Sequence, residues 1–413
     1  MVVMNQAHNL EAAILNLDPA QSLRPEDEAF YVEREHSERP EMAALLRINS
    51  KQSLNYARFL FTGHRGSGKG TELYRLNKEL SDVFCLVHFS VRDKLEVSDL
   101  DYRDVIFAIG MGIIEVVEKN KNINIPPKML KPITTFFAKV YKDDEFTAKF
   151  EASLEVKPTL LNILTGFARY GTERTTRETM RQEISGSLNN LINAIDDLAR
   201  EVERQVKKKI LVIIEDLDKS DQKKAIELFF EHSQSLTSVP VHLIYTFPVA
   251  LRHTQNFTQV KNYFKNFDLP NIKTNLRDGT PAPSLKTLQE ILTRRVAPNL
   301  FEPGTLELLA KKSGGLVRSL ISLANDACLQ AILKSRAKVS VEDVKTAVQR
   351  TRADYSRFLT NEQKDRLREI HTNKAINNSL EDQNLLYNLS VLEYRNDDPE
   401  PWYDVHPIVQ DLL

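Results

Sequence analysis

The sequence predicts an α/β fold in which a doubly wound parallel sheet carries helices on both faces. Apolar runs at 57–61, 83–91, 210–214 and 239–247 are typical of strands buried on both faces. Segments with helical spacing separate these runs, and this alternation favours a parallel sheet. The 413 residues are enough for two or three domains, each with its own core.

The composition is that of an ordinary soluble protein, with 41% hydrophobic and 27% charged residues and a net charge of −1. Compositional disorder is therefore excluded, and any nucleic-acid contact has to come from a local basic patch. Cys85 and Cys328 lie in apolar runs and are expected to be buried, reduced thiols. No signal-peptide pattern is present, and the longest apolar stretch, 105–117, is too short to cross a bilayer. We expect a cytoplasmic protein without membrane contact.

A glycine-rich loop joins the first apolar run to a helical segment, in the stretch 61–73, FTGHRGSGKGTEL. Its glycines allow a tight turn with inward-pointing N–H groups, and the following helix adds its positive end. Strand, loop and helix together predict a phosphate-binding loop, in which Lys69 reaches the β- and γ-phosphates of a nucleotide. The predicted phosphate-binding residues are Gly63, His64, Arg65, Gly66, Ser67, Gly68, Lys69, Gly70 and Thr71.

One position departs from the usual pattern of GxxxxGK followed by Ser or Thr. That last position is Gly70 here, and a hydroxyl follows only at Thr71. Because this hydroxyl normally binds Mg²⁺, Thr71 becomes the candidate metal ligand of the loop.

A second chemical signal follows the strand at 210–214, where the chain continues as EDLDK. Carboxylates at the carboxyl end of a parallel strand lie at the edge where doubly wound sheets bind ligands. This acidic strand end resembles the Walker B element of P-loop ATPases, and the resemblance implies that Glu215 holds Mg²⁺ and that Asp216 activates the attacking water, with Asp218 sharing this work. AAA+ ATPases carry a polar sensor of the γ-phosphate at the end of the next strand, and the resemblance gives this role to Thr246.

These two motifs resemble the Walker A and Walker B elements of AAA+ and STAND-class P-loop ATPases, and EDLDK is similar to the DDLDR of the KAP group. The stretch 313–327, SGGLVRSLISLANDA, resembles the lid of initiator-type AAA+ ATPases, in which Arg318 would be the sensor 2 arginine. The resemblance also makes Arg252 a candidate arginine finger. It assigns adenine contact to Tyr31 and Val32, for which plain helix packing is the alternative.

Turn signals and composition divide the chain into an N-terminal helical segment (1–50), a nucleotide-binding core (51–280), a helical lid (281–353) and a C-terminal domain (354–413). The core contains an insertion at about 119–173, which we interpret as a helix with a hairpin. A long amphipathic helix follows it, and the basic residues near its start, Arg174, Arg177 and Arg181, either are solvated or bind an acidic partner.

The C-terminal domain has the order helix, helix, strand, strand, which is winged-helix-like. From residue 362 onward it contains five basic and eleven acidic residues, a charge of −6. The helix in the position of a recognition helix, LEDQNLLYNLS, has no basic residue, whereas DNA binding needs them. We therefore expect this domain to dock within the chain or to bind a partner protein, and not to grip DNA.

The resemblance implies a Mg²⁺-dependent ATPase that binds ATP and ADP, acts as a nucleotide-dependent switch, self-assembles as a homo-oligomer and engages partner proteins, as in prokaryotic defence. Two alternatives remain open. One is a DNA-binding AAA+ regulator of transposition or replication, with contacts through the core and lid. The other is an ATP-gated scaffold with little hydrolysis, consistent with Gly70 and with the order of Glu215 and Asp216.

Overall fold

A computed structural model of the protein describes residues 5–52, 55–140, 160–395 and 400–413. Its central sheet has five strands, β1 (Arg58–Gly63), β2 (Phe84–Ser90), β3 (Lys209–Glu215), β4 (His242–Pro248) and β5 (Lys265–Asp268). All neighbouring strands are parallel, in the order β2-β3-β4-β1-β5. The prediction of an α/β fold with a parallel sheet is confirmed, although the short edge strand β5 was not foreseen.

The helices before β5 are α1 (Leu10–Asn16), α2 (Arg39–Asn49), α3 (Lys69–Leu80), α4 (Tyr102–Lys119), α5 (Pro127–Val140), α6 (Leu160–Thr172), α7 (Arg174–Val206), α8 (Gln222–Ile226), α9 (Ser233–Leu236) and α10 (Phe257–Val260). The helices after β5 are α11 (Leu285–Arg295), α12 (Thr305–Lys312), α13 (Val317–Leu333), α14 (Val341–Phe358), α15 (Asn361–Asn373), α16 (Leu380–Tyr387) and α17 (Pro407–Gln410). The two remaining strands, β6 (Val391–Arg395) and β7 (Pro401–Val405), pair antiparallel.

Strand β3 shows why the sheet strands are apolar throughout. Its side chains alternate between two hydrophobic clusters, because successive residues of a strand point to opposite faces. Val212 and Ile214 belong to the cluster under α4 and α7, whereas Leu211 and Ile213 belong to the cluster under α2 and α3. Helices therefore cover both faces, as in a doubly wound sheet.

The apolar stretch 105–117 forms most of α4, whose side chains are almost all buried in the larger cluster. Among the described residues, no helix combines the length and the apolar character that a bilayer crossing requires. Cys328 is buried and Cys85 is half-buried, and both are free thiols.

The insertion is helical where the structure describes it, as α5 and α6. The predicted hairpin, at 149–156, lies outside the described residues. At the start of α7, Arg181 donates to Asp104 and Asp99, and Arg177 donates to the Gly171 carbonyl oxygen at 2.9 Å. These two arginines are satisfied inside the fold, which corrects both readings made from the sequence. Only Arg174 is exposed, and it pairs with Glu178.

The lid forms a separate hydrophobic cluster built from α11, α12, α13 and α14, and α1 joins this cluster. The N-terminal helix thus packs on the lid, and a bridge between Ala7 and Val296 fixes it there. Helix α14 continues to Phe358, through the predicted domain boundary at residue 353.

The C-terminal domain consists of α15, α16, β6, β7 and α17, in the predicted order. Its helix α16 lies against the turn Val249–His253 of the core, where Gln383 donates to the His253 carbonyl oxygen and Tyr387 donates to the Ser220 carbonyl oxygen. The helix in the recognition-helix position is therefore occupied by contacts within the chain.

Gly315→Ala should destabilise the protein strongly. Gly315 has a φ of +82°, and a Cβ atom there would lie 1.7 Å from the Ile272 carbonyl oxygen. Strain at positive φ costs about 1–2 kcal/mol before this overlap is counted, so we expect a loss above about 2 kcal/mol in the free energy of unfolding. The control is Gly186→Ala in α7, where nothing lies within 4 Å. This helical site should gain about 0.5–1 kcal/mol. Equal unfolding midpoints for the two variants in urea would contradict the prediction.

Candidate functional site

The loop between β1 and α3 has the geometry that its glycines predict. Gly66 and Gly68 adopt φ values of +81° and +102°, which favour glycine. The Ser67 amide donates to the His64 carbonyl oxygen at 3.1 Å and closes the turn. A Cβ atom on Gly63 would lie 2.7 Å from the Leu269 carbonyl oxygen, so this position also requires glycine.

Lys69 extends back into this loop and is 6% exposed. Its Nζ atom donates to the carbonyl oxygens of Gly63 at 2.8 Å and His64 at 3.0 Å. It also forms an ion pair with Asp218 Oδ2 at 2.9 Å. The three donors of the ammonium group are thus all directed to oxygens around the loop.

Asp218 is the acid that reaches Lys69, and it is 2% exposed. Burial alone would raise the pKa of this carboxyl, but the Lys69 ammonium, together with Thr246 and Lys219, holds the pKa below its ordinary value. Thr246 lies close enough to help lower that pKa, although its buried hydroxyl completes no hydrogen bond among the described residues. The structure therefore brings Lys69, Asp218 and Thr246 together.

Asp216, whose predicted role is to activate water, pairs with groups other than Lys69. It has a φ of +69°, and its carboxylate accepts from Ser90 Oγ at 2.8 Å and pairs with Lys219 Nζ at 2.5 Å. The left-handed turn at Asp216 rotates its side chain away, and the next acid along the chain takes the position beside the loop. Asp218, which the sequence assigned only a shared part, is the carboxylate nearest the ammonium group.

Glu215 lies beside the first turn of α3. Its Oε1 atom contacts His88 Nε2, and the Nδ1 atom of His88 contacts Asn77 on α3. Its Oε2 atom lies 2.6 Å from the point where a Cβ atom on Gly70 would stand. His88 was missed in the sequence, where its signal was a polar residue inside the otherwise apolar run of β2.

Thr71, the candidate hydroxyl ligand, accepts a hydrogen bond from the Leu23 amide at 3.2 Å. This bond ties the N-terminal segment 18–23, here called the strap, to the first turn of α3. On the other side, Arg318 Nε donates to the Pro19 carbonyl oxygen at 3.1 Å. The strap is therefore fixed between the loop helix and the lid.

A small cleft lies between the loop, the strap and the lid. Its lining residues include Gly66, Gly68, Ser22, Phe30 and Arg318. The Arg318 amide donates to the Gly66 carbonyl oxygen at 3.0 Å. The predicted lid arginine is thus in direct contact with the predicted phosphate loop.

Tyr31 and Val32, the candidates for adenine contact, are buried elsewhere. The Tyr31 hydroxyl donates to Glu72 Oε1 at 3.1 Å and its ring stacks on Arg75, while Val32 belongs to the lid cluster. Burial raises the pKa of Tyr31, as expected for a packed phenol. Both side chains are therefore packed in the fold, as the alternative interpretation expected. The neighbouring Phe30 lines the cleft.

Arg34 is a further residue of the site that the sequence did not indicate. Its guanidinium group is buried and donates to the carbonyl oxygens of Ser67 and, at 2.5 Å, Pro270. Burial lowers the pKa of this group, and Glu72 opposes that shift. Its Nη1 atom lies 3.4 Å from the point where a Cβ atom on Gly68 would stand, so the group adds positive charge directly behind the loop.

His64 and Arg65, two variable positions of the loop, contact the C-terminal domain. His64 Nε2 accepts from the Glu393 amide of β6 at 2.8 Å. The Arg65 guanidinium lies 4.1 Å from the Tyr387 ring centroid and donates to the carbonyl oxygens of Asp218 and Ser220, each at 3.0 Å. Both residues were assigned to phosphate binding, but their side chains point outward into this interface.

Arg252, the candidate arginine finger, is held within the chain. Its Nη1 atom forms an ion pair with Asp268 Oδ1 at 2.6 Å and lies 3.8 Å from Glu393 Oε1. Glu393 is fully buried, which would raise the pKa of its carboxyl, yet His253 and Arg252 lower that pKa to about 2. This charged cluster connects β6 to the core.

The oxygens around the loop fit Mg²⁺ only as partners of a bound nucleotide. Within the described ranges, no three His, Cys, Asp or Glu side chains cluster to form a metal site made of protein alone. Nucleotide-bound Mg²⁺ needs one or two carboxylates in addition to phosphates and waters. Glu215, beside Gly70, and Asp218, beside Lys69, offer hard oxygen donors of that type.

Sheet, loop and acidic strand end define an α/β protein in which a glycine-rich loop joins β1 to α3 and lies beside the carboxyl end of β3. No protein-family model and no curated protein sequence matches the chain. It is similar to the solved ORC1 protein of Aeropyrum pernix in complex with DNA, at 11% identity and a TM-score of 0.44 over 97% of this chain and 98% of that chain. It is also similar to ORC2 of the same organism in ADPNP-ADP complexes, at 13% identity and a TM-score of 0.41 over 95% and 93%.

A third similar structure is the RuvB Holliday junction branch migration motor of Thermotoga maritima, at 12% identity and a TM-score of 0.35 over 75% of this chain and 67% of that chain. Likenesses at this level carry no conclusion about function, which has to be argued from the residues of the chain itself.

His64→Gln should reduce the acid sensitivity of the fold. Burial lowers the pKa of His64 to about 4, so the unfolded chain binds more protons than the folded chain between that value and 6.5. The stability from neutral His64 is fully present above this window and is lost as the pH falls through it. Between pH 7 and pH 5 this loss is about 2 kcal/mol in the free energy of unfolding.

Glutamine keeps an acceptor for the Glu393 amide but does not titrate, so His64→Gln should lose less stability over the same interval. Urea unfolding at both pH values measures the difference, and His8→Gln, at an exposed histidine, is the control. An identical pH dependence in wild type and His64→Gln would contradict the assignment.

Proposed function

We propose that the protein is an AAA+-type P-loop ATPase that acts as a nucleotide-dependent switch, self-assembles and engages partner proteins. The observation that carries the proposal is that residues of the core, the lid and the C-terminal domain all contact one loop. Lys69 and Asp218 meet inside it, Arg318 of the lid contacts Gly66, and β6 of the C-terminal domain contacts His64.

Binding of the triphosphate is supported by the loop geometry. Glycines at positive φ expose the backbone amides, and α3 begins directly behind them, so its positive end faces the same space. Lys69 and Arg34 add positive charge on two sides of the loop. Phosphate oxygens would replace the carbonyl and carboxylate oxygens that now surround Lys69 Nζ.

Hydrolysis is supported by the acids beside the loop. Mg²⁺ bound with the nucleotide would neutralise charge that develops on the phosphate oxygens. In this chain Glu215 and Asp218 would hold it, and Asp218 with Thr246 would orient the attacking water. Asp216, bound to Ser90 and Lys219, would keep the turn after β3 in place.

The proposed switch depends on ATP and ADP making different contacts with the protein. A ligand shifts a conformational equilibrium only by the difference in its affinity for the two states. Arg318 bridges the loop to the strap, so the γ-phosphate would reach the lid through a residue that already contacts Gly66. ATP and ADP would therefore favour different lid positions.

The alternative function is that of a DNA-binding regulator. The C-terminal domain has little support as the DNA-binding module of such a protein. Its helix α16 has no basic residue and is packed against the core. If nucleic acid is bound, the contacts have to lie on the core and lid. Salt-dependent binding of duplex DNA by the full chain would separate this function from a switch that acts on proteins.

Nucleotide binding is tested with the paired variant Lys69→Met/Asp218→Asn. Removing Lys69 alone would leave a buried carboxylate unpaired, at a cost of about 3–5 kcal/mol, and would confuse binding with stability. The paired variant removes both charges and should fold without binding ATP. ATP with Mg²⁺ at one hundred times its dissociation constant should stabilise wild type by about 2.7 kcal/mol.

A thermal-shift titration measures this stabilisation, and Lys78→Met, at the exposed end of α3, is the control that should keep it. A flat titration for wild type, or an unchanged response in the paired variant, would remove the premise of the proposal.

Arg318→Ala should separate binding from turnover. The loop contact made by the Arg318 amide survives the substitution, so the ATP affinity should change only a few-fold. Loss of a positive donor at the γ-phosphate should lower hydrolysis about 100-fold. Phosphate release and the ATP-dependent molar mass in light scattering are the measurements, with Arg350→Ala on the outer lid as the control. Wild-type rates and assembly in Arg318→Ala would return this arginine to a structural role.

A further inference from the structure

The position after Lys69 is crowded although its residue is glycine. A Cβ atom built on Gly70 would meet Ser22 Oγ at 2.7 Å, Ser22 Cβ at 3.3 Å and Glu215 Oε2 at 2.6 Å. The space that a serine or threonine side chain normally fills in a P-loop is therefore taken by a serine from the strap. A hydroxyl is present at this place, but it comes from a residue 48 positions earlier in the chain.

The strap holds Ser22 in this place by bonds on both sides of it. The next residue, Leu23, donates its amide to Thr71 Oγ1 at 3.2 Å, and Pro19 accepts from Arg318 Nε at 3.1 Å. Thr71 is thereby used to anchor the strap. Ser22 itself is half-buried and lines the cleft, and its hydroxyl has no hydrogen-bond partner in the described part of the chain.

Thr71 is a poorer substitute for the missing hydroxyl. One residue further along a helix lies about 100° around its axis, so Thr71 projects in a different direction from residue 70. Its oxygen is also engaged by the Leu23 amide. Ser22 Oγ and Glu215 Oε2, by contrast, both lie within 2.7 Å of the single point where the ordinary side chain would begin.

We propose that Ser22 supplies the hydroxyl ligand of the nucleotide-bound Mg²⁺ in place of residue 70, opposite Glu215. The inference rests on the proposed nucleotide site and deepens it. Gly70 is then required, because any side chain there would displace Ser22. The strap becomes part of the metal site, so its position would depend on whether Mg²⁺–nucleotide is bound.

The test measures ATP affinity by calorimetry in excess Mg²⁺ and in EDTA, and compares the ratio of the two. Ser22→Ala should lower this ratio about tenfold, the scale on which residues around a metal change its affinity, and leave the affinity in EDTA unchanged. Gly70→Ser alone should also lower it, because the new side chain meets Ser22. The double variant Ser22→Ala/Gly70→Ser returns one hydroxyl to the usual position and should restore the ratio. Ser81→Ala, at the far end of α3, is the control.

Each outcome decides the question. The metal role of Ser22 would be overturned if Ser22→Ala kept the wild-type ratio of ATP affinities in Mg²⁺ and in EDTA, or if it lost as much affinity in EDTA as in Mg²⁺. It would also be overturned if the double variant had a ratio as low as that of Ser22→Ala. If wild type binds no ATP in either buffer, the nucleotide site itself fails, and that failure is distinct because no ratio exists to be lowered.

Discussion

The buried ion pair between Lys69 and Asp218 is the interaction on which the site depends. Both side chains are almost fully removed from solvent, so neither charge is tolerated there without the other. A triphosphate at the proposed site would bring negative charge to the same ammonium group and would compete with Asp218 for it. Nucleotide binding would thereby be linked to the position of the segment 216–221 that follows β3.

That segment also touches the C-terminal domain. The carbonyl oxygen of Ser220 accepts hydrogen bonds from Arg65 and from Tyr387 of α16, and Arg65 stacks on the same tyrosine ring. A displacement of Asp218 would therefore act on the contact between the loop and α16. The contact is made of a few directional bonds and one ring, and coupling between the two sites would require it to have two discrete arrangements.

The parts of the fold that local sequence determines were predictable. Buried parallel strands must be apolar on both faces, and this leaves the continuous runs from which β1 to β4 were predicted. The loop and the acidic end of β3 are short motifs with a physical reason for each residue type. Strand β5 was not predicted because three of its four residues, KNFD, are polar and the strand lies at the sheet edge.

Side-chain assignments within the site were less predictable, because they depend on turns and on distant segments. Sequence spacing cannot show that Asp216 adopts a positive φ, and that single dihedral decides which acid meets Lys69. Arg34 and Phe30 gain their roles only when the N-terminal segment folds across the loop and the lid. The same holds for Ser22, whose neighbours Gly70 and Glu215 are far away in sequence.

The composition gives the number of acidic residues in the C-terminal domain, whereas the structure shows which of them are paired. The domain's net charge of −6 argues against ordinary DNA binding, yet several of the acids counted are paired with basic residues. Glu393 is buried beside Arg252 and His253 of the core, and Asp411 pairs with Lys312 of the lid. These two acids thus match basic residues on the surfaces that the domain covers. Charge complementarity of this kind orients a docked domain more than it strengthens the docking, and it brings β6 onto His64 of the loop.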